Sequence, residues 1–298
     1  MIFFFRLIDR MEDIRFGIEL EMIYYQANNL IEVRNMLNSL MKKNNVDIQF
    51  QLRRYGDINY KIWKIIRDIS VMQTFSKDIG FEIVSPVLKI ADLSLVEQLM
   101  DALLQIPVFI NITCGFHVHV SYASRRFKMD DIRKFAKTYI VFEDGIDMLH
   151  HCSRQLNHYC RPIRENTKFR EKSIGKIFSI IDSQYFRYSL IKVVNPKFFF
   201  RHYKINLQNL QYLMLIKKKT IEFRQHCGTL EKGAVISWVK LLASFVANYL
   251  DIYDEELLLE ISSLTASEKL ERFFELYVRD DEVKEYYKKV LENSHFVN

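Results

Sequence analysis

Five segments of the chain alternate apolar and polar residues, which is the pattern of a β-strand that buries one face. The predicted strands are residues 15–22, 80–86, 114–122, 203–207 and 219–225. Two longer segments, 129–150 and 233–250, carry apolar residues at three- and four-residue intervals, which predicts helices with one buried stripe. Strands and helices therefore mix along the chain.

Capping residues predict where further helices begin. Ser94 with Glu97, and Thr265 with Glu268, match the capping box, in which two side chains satisfy the first backbone amides of a helix. A last helix is predicted near 281–293.

These elements predict an α+β fold, with a curved, mainly antiparallel sheet and helices packed on its outer face. No repeat, low-complexity tract or Pro/Ser-rich linker interrupts residues 1–298, so we expect a single domain. Its motif-bearing core would cover about 15–250, and a helical C-terminal extension would follow at 251–298.

Composition narrows the class of protein only slightly. A hydrophobic content of 49% excludes wholesale disorder, and the net charge of +6 suits an anionic ligand such as a nucleotide, RNA or an anionic membrane. The four cysteines form no CxxC pair, which favours a reducing compartment, so we expect a cytoplasmic protein. The longest uncharged apolar run, 241–250, is shorter than the ~20 residues of a membrane span, so no membrane partner is expected.

Two carboxylates share one face of the first predicted strand. Glu19 and Glu21 alternate with Ile18, Leu20 and Met22, so both acidic side chains point the same way. At a rise of ~3.3 Å per residue they lie within about 8 Å of each other, where repulsion disfavours two ionised carboxylates unless a cation is near. A solvated strand face would carry the same pattern.

The same arrangement recurs on three other predicted strands. Each presents chemically active side chains on one face and apolar side chains on the other, and the active residues are Glu82, His117, His119, Glu222 and Arg224. If the apolar faces meet the helices, the polar faces together line one surface of the sheet. A donor set rich in oxygen with one imidazole suits Mg²⁺ or Mn²⁺ better than zinc.

The ordered series FGIELE, EIVSP, CGFHVHV, RHYKIN and TIEFRQHCGT resembles the amidoligase family of the glutamine synthetase and glutamate-cysteine ligase superfamily. The resemblance covers about 15–250. It implies a sheet of the glutamine synthetase catalytic-domain type and an ATP- and Mg²⁺-dependent carboxylate-amine ligase. Such an enzyme would join a small-molecule or peptide carboxylate to an amine through an acyl phosphate.

The resemblance also implies roles for individual residues. The implied metal ligands are Glu19, Glu21, Glu82, His117 and Glu222. His119 would contact an ATP phosphate, and Arg224 would face both the nucleotide and the transferring phosphoryl group as a catalytic residue. Glu82 and Asp68, the latter in a WxxxxDxS element with Ser70, are further catalytic candidates.

Substrate-binding candidates follow from the same resemblance. Arg154 would clamp a substrate carboxylate in a bidentate pair, while Arg201, Tyr203 and Asn206 would supply ligand contacts. The resemblance does not include the separate N-terminal domain of glutamine synthetase. We therefore do not infer the amine donor or the oligomeric state from that enzyme, and a homo-oligomer is one possibility.

Several alternatives remain beside this interpretation. A crowded segment could suggest zinc, although its spacing matches no familiar zinc module: His150, His151, Cys152, His158 and Cys160. Cys114 could be a nucleophile beside histidine, but its strand position places it with the core-facing residues.

Other functional classes are also open. A metal-dependent hydrolase or nuclease could use the same carboxylate and histidine face. A non-catalytic nucleotide- or RNA-binding module is a third alternative. The sequence has no P-loop and no RNP1, KH or zinc-knuckle pattern, and we expect no nucleic acid partner.

Overall fold

The structure is a computed structural model that describes residues 10–53, 59–72, 77–150, 154, 158–196, 202–211 and 219–294. The chain forms two compact units. The strand-rich unit consists of Arg15–His119 and His226–Val239, and the helix-rich unit consists of Met1–Ile14, Val120–Gln225 and Lys240–Asn298. The single-domain organisation stays a prediction.

Most strands of the described chain belong to the strand-rich unit. They are β1 (Ile14–Tyr24), β2 (Phe50–Leu52), β3 (Trp63–Arg67), β4 (Ile79–Val84), β5 (Leu88–Lys89), β6 (Val108–Phe109) and β7 (Gly115–Tyr122). Their order is β2-β3-β4-β1-β7, and β5 and β6 also pair with β1. Antiparallel pairing joins β1 to β4, β5 and β6 and joins β3 to β4, whereas β2 and β3 are parallel. The predicted mixed fold with a mostly antiparallel sheet is confirmed at this level.

Two helices lie within the strand-rich unit, α1 (Leu30–Lys43) and α2 (Leu93–Leu103). The capping box predicted at Ser94 is wrong, because α2 follows directly on a 3₁₀ turn at Ile90–Asp92. Ser94 is therefore already inside the first turn of the helix. Asp92 instead turns its carboxylate back to accept the Lys89 backbone N–H at 2.8 Å.

A close backbone contact stabilises the strand-rich unit beside β7. The Gly228 N–H donates to the Cys114 carbonyl at 2.8 Å, and a Cβ atom at Gly228 would lie 2.5 Å from the Cys114 Cβ. Only glycine fits this approach. The Cys114 side chain is fully buried, which agrees with its predicted position in the core.

The helix-rich unit contains β8 (Ile205–Asn206), β9 (Ile221–Cys227) and the remaining helices. These helices are α3 (Met129–Asp147), α4 (Ile174–Asp182), α5 (Arg187–Val194), α6 (Lys232–Ile252), α7 (Glu255–Ile261), α8 (Ala266–Tyr277) and α9 (Asp281–Ser294). The first part of α6, up to Val239, and the end of β9 after Gln225 belong to the strand-rich unit. β8 and β9 are antiparallel. The capping box of Thr265 and Glu268 is confirmed at the start of α8.

Helix α3 packs against the apolar face of β9. The rings of Phe135 and Tyr139 lie 5.9 and 6.3 Å from the ring of Phe223, and Phe135 also contacts Phe245 and Tyr249 of α6. This arrangement confirms for β9 that the apolar strand face meets helices.

One helix, α6, is long and apolar enough to cross a membrane by length and composition alone. However, 83% of its most apolar window is buried inside the protein, as in the core helix of a globular fold.

Candidate active site

One group of candidate residues lies on β1, in the middle of the strand-rich sheet. β1 lies between β4 and β7. The apolar side chains of Ile18, Leu20 and Met22 are fully buried on one face of β1. Glu19 and Glu21 occupy the opposite face and are only 8% and 7% exposed. Two carboxylates are thus held away from bulk water, where an ionised acid requires compensating charge.

The two histidines of β7 lie directly against these carboxylates. His119 Nε2 lies 2.9 Å from Glu19 Oε1. The ring of His117 lies between the two acids, with Nδ1 3.5 Å from Glu19 Oε2 and Nε2 3.6 Å from Glu21 Oε1. The structure therefore brings together the four strand residues that the sequence placed on one polar face.

A second group of acids forms where β1, β4 and the end of β3 meet. The register of β1 and β4 places Glu82 directly opposite Glu21, and Asp68 follows the last residue of β3. Glu21, Asp68 and Glu82 each offer a carboxylate oxygen, and these oxygens lie within 4.8 Å of one another. We call these three residues the acidic cluster.

Hydrogen bonds orient two members of the acidic cluster. Glu21 Oε2 accepts the Gly115 N–H at 2.6 Å, and Asp68 Oδ1 accepts both the N–H and the hydroxyl of Ser70, at 2.8 and 2.6 Å. Asp68 and Ser70 thus act together, although they lie in a turn after β3 and not on a strand face.

The donors of the acidic cluster fit a hard divalent cation. Carboxylate oxygens are the ligands that Mg²⁺ and Mn²⁺ prefer, and a cation offsets the repulsion among three grouped acids. These residues can therefore hold a metal ion.

A separate group of candidate residues lies in the helix-rich unit, on β9. The Glu222 side chain is fully buried, and both of its oxygens accept hydrogen bonds. Arg224 Nη1 lies 2.6 Å from Oε1, while Asn206 Nδ2 and Asn209 Nδ2 lie 2.8 and 3.3 Å from Oε2. We call these four residues the Glu222 group.

Asn206 therefore has a different environment from the one predicted. Its Nδ2 binds Glu222, and its Oδ1 accepts the Gln208 N–H at 3.0 Å. Both ends of its amide are engaged within the protein, so Asn206 positions Glu222. Substrate contact by Asn206 stays a prediction.

Arg154 supports the backbone of β9. It is 4% exposed, its Nη2 donates to the Arg224 carbonyl at 2.8 Å, and its Nε donates to the Gln225 carbonyl at 3.3 Å. The Cys160 thiol donates to the same Arg224 carbonyl at 3.1 Å. A carboxylate clamp by Arg154 stays a prediction, but its guanidinium already has a structural function.

A buried polar network lies behind β9, and sequence reasoning missed it. Asp147 of α3 accepts hydrogen bonds from the Lys204 ammonium and from Gln225 Nε2. Nearby, Glu143 accepts the backbone N–H groups of Ile163 and Arg164. The helical spacing of Glu143 from Tyr139 on the buried stripe of α3 was the available signal.

Burial controls the protonation of this network. Desolvation raises the pKa of Glu143 to about 7, although Lys204 and the two backbone N–H groups oppose the shift. Burial likewise raises the pKa of the Cys160 thiol to about 11, so this cysteine is not an activated nucleophile.

Other predicted residues are less informative. Tyr203 is buried, and burial raises the pKa of its phenol. Arg201, His151 and Cys152 lie outside the described residues. His158 lies beside His202, with ring centres 5.2 Å apart. Among the described residues, neither His158 nor Cys160 belongs to a group that could hold a metal ion.

A mixed α/β fold with grouped acids and histidines on its strands is consistent with an enzyme. A family model described as "Putative amidoligase enzyme" matches residues 12–246, which include every candidate site residue. The chain belongs to this family, and the family indicates an enzyme of the ligase type. A search of curated proteins finds no match.

Proposed function

We propose that the protein is an ATP- and Mg²⁺-dependent carboxylate-amine ligase whose catalytic sheet is of the glutamine synthetase type. The acidic cluster carries this proposal, because it groups three carboxylates, two on strands and one directly after a strand, in a member of the amidoligase family. Core packing gives no reason to collect like charges within 4.8 Å, whereas a nucleotide-bound divalent cation does.

The proposed reaction has two steps. A substrate carboxylate oxygen attacks the γ-phosphorus of ATP, so the bond to the β-phosphate oxygen breaks and ADP leaves. The product of this step is an acyl phosphate. An amine nitrogen then attacks the acyl carbon, the carbon–oxygen bond to phosphate breaks, and the amine loses its proton as the amide forms.

In the strand-rich unit, the proposal assigns metal binding to Glu19, Glu21, Glu82 and His117. Bound Mg²⁺ would neutralise charge on the ATP phosphates. His119 would donate to a phosphate oxygen, with Glu19 orienting its ring at 2.9 Å. Asp68, fixed by Ser70, would complete the acidic cluster.

In the helix-rich unit, the proposal assigns Glu222 to the metal and Arg224 to the transferring phosphoryl group. The guanidinium of Arg224 complements charge on that group best in the transition state. Substrates would be a small-molecule or peptide carboxylate and an amine, and Tyr203 would contact one of them. The proposal places the reaction in the cytoplasm, without nucleic acid or membrane partners.

The test is phosphate release from Mg-ATP with a panel of amino acids and short peptides, each with and without hydroxylamine. An acyl phosphate is trapped by hydroxylamine as a hydroxamate, so hydroxamate in the wild type supports the ligase. Glu82→Gln should abolish it, whereas Glu97→Gln, a matched change on α2 of the same unit, should not.

Two outcomes would contradict the ligase. Cleavage of a peptide or nucleic acid without any requirement for ATP would favour the metal-dependent hydrolase or nuclease. Nucleotide binding that is independent of metal and followed by no turnover would favour a non-catalytic binding module.

A further inference from the structure

The Glu222 carboxylate has donors at both of its oxygens. Arg224 binds one oxygen at 2.6 Å, and the amides of Asn206 and Asn209 bind the other. Because Glu222 is fully buried, a cation that binds Oε1 meets the Arg224 guanidinium 2.6 Å from the same oxygen. If Glu222 binds metal, as the proposed function assigns, the metal ion competes with these donors for the carboxylate.

The two amides are poorly suited to leave. Asn206 is held at both ends of its side chain and pairs with Glu222 across β8 and β9. Asn206 and Asn209 are only 1% and 3% exposed, so neither has solvent to move into. A neutral amide can also remain beside a metal-bound carboxylate without electrostatic conflict.

Arg224 is the donor that can move. Its backbone is fixed, because its N–H donates to the Lys204 carbonyl and its own carbonyl accepts Arg154 and Cys160. Its side chain, however, is 14% exposed where that of Glu222 is 0%. Its positive charge also opposes a divalent cation at the same oxygen, since like charges a few ångströms apart repel strongly in a buried setting.

We infer that Arg224 is an internal competitor of the metal ion at Glu222, so that metal binding releases the guanidinium to a phosphate of the nucleotide. This inference rests on the proposed function and adds a regulation of binding to it. A cation alone has to displace Arg224. A triphosphate that accepts the displaced guanidinium removes that cost.

The consequence is reciprocal coupling between metal and triphosphate. If triphosphate raises the affinity for metal, metal has to raise the affinity for triphosphate by the same factor. The metal on its own should therefore bind Glu222 weakly, and the complete nucleotide–metal complex should bind tightly. Arg224 therefore makes the binding of metal and the binding of triphosphate positively cooperative.

The experiment measures Mn²⁺ binding by calorimetry and by the paramagnetic relaxation of water protons. All variants carry Glu21→Gln, which weakens the acidic cluster, and the Glu222→Gln background measures the Mn²⁺ binding that does not involve Glu222. Arg224→Gln should raise the affinity for Mn²⁺ on the order of tenfold, because it removes the competing charge. The same variant should abolish the enhancement of Mn²⁺ affinity by inorganic tripolyphosphate.

Three controls make the result specific. Arg170→Gln removes the same charge from an exposed arginine of the same unit that pairs with Glu165, and it should leave Mn²⁺ binding unchanged. In a Glu222→Gln background, Arg224→Gln should have no effect. Arg224→Lys, which keeps the charge, should raise Mn²⁺ affinity less than Arg224→Gln does, and circular dichroism checks that each variant is folded.

The outcomes separate this inference from the proposed function. If Glu222→Gln weakens Mn²⁺ binding but Arg224→Gln does not strengthen it, the competition is wrong while the metal assignment stands. If Glu222→Gln leaves Mn²⁺ binding unchanged, the metal assignment of Glu222 fails and the competition fails with it.

Discussion

The acidic cluster and the Glu222 group show two ways to hold carboxylates on a β-strand. In the acidic cluster, Glu21, Asp68 and Glu82 bring carboxylate oxygens within 4.8 Å of one another. In the Glu222 group, one carboxylate is surrounded by a guanidinium and two amides. Negative charge is concentrated in the first region and neutralised in the second.

This difference shows that partners on the same strand and on the neighbouring strand together determine the electrostatics of an acid. Glu21 and Glu222 both alternate with apolar residues. Across from Glu21 lies another acid, Glu82, whereas across from Glu222 lies an amide, Asn206. The first region groups like charges that a cation would offset, and the second contains its own compensating charge.

Substitutions of Glu82 and Glu222 should have the largest effect on turnover, and they should separate the two regions by the sign of a stability change. Glu82→Gln should raise the free energy of unfolding of the metal-free protein by about 1 kcal/mol, because it relieves repulsion. Glu222→Gln should lower it by about 2 kcal/mol, because Arg224 loses its charged partner. Both should reduce ligase turnover on the order of 10²- to 10³-fold.

Urea unfolding in the presence of a chelator measures these two stabilities, and the hydroxamate assay measures turnover. If both substitutions destabilise the protein, the charge of the acidic cluster is compensated as well as that of the Glu222 group. This result would contradict the difference between the two regions.

A third buried acid, Glu143, sharpens the comparison within the helix-rich unit. Among the described residues it accepts backbone N–H groups and contacts no guanidinium, and burial raises its pKa from the ordinary value of 4.5 to about 7. Between these values the folded protein holds a proton that the unfolded chain has released. The free energy of unfolding should therefore fall as pH rises from 4.5 to 7, by a total on the order of 3 kcal/mol.

Unfolding of the wild type and Glu143→Gln at several pH values between 5 and 8 tests this expectation. The difference in stability between the two proteins should change across that range and level off above it. Glu165→Gln, at an exposed position of the same unit, should show no such change relative to the wild type. An identical pH dependence for Glu143→Gln and the wild type would mean that Glu143 ionises normally.

The smallest effect distinguishes the two amides that support Glu222. Asn206→Ala removes a hydrogen bond of 2.8 Å and should lower the free energy of unfolding by about 1.5 kcal/mol. Asn209→Ala removes a longer contact of 3.3 Å and should cost about half as much. Thermal unfolding of the two variants compares them directly. Equal losses of stability would contradict the larger contribution expected from Asn206.

The alternation of residues was sufficient to predict the main strands and their polar faces. β1, β7 and β9 include the predicted segments nearly in full. Local periodicity works here because each of these strands buries its apolar side.

The remaining features depend on contacts that local sequence does not contain. The register that sets Glu82 opposite Glu21 joins residues far apart in the chain. The helix α1 was missed because it exposes apolar residues, with Ile31 at 52% and Met36 at 43%, which blurs its amphipathic pattern. The function of Arg154 as a support for β9 likewise arises only in three dimensions.

Because each compact unit is built from separate stretches of sequence, recombination cannot exchange a whole unit as one contiguous segment. The strand-rich unit draws on two stretches of sequence and the helix-rich unit on three, and the four changeovers fall inside β1, β7, β9 and α6. A recombination event that exchanged one contiguous segment would therefore carry an incomplete unit on each side of the junction. The acidic cluster and the Glu222 group are therefore expected to be inherited together, in one continuous coding sequence.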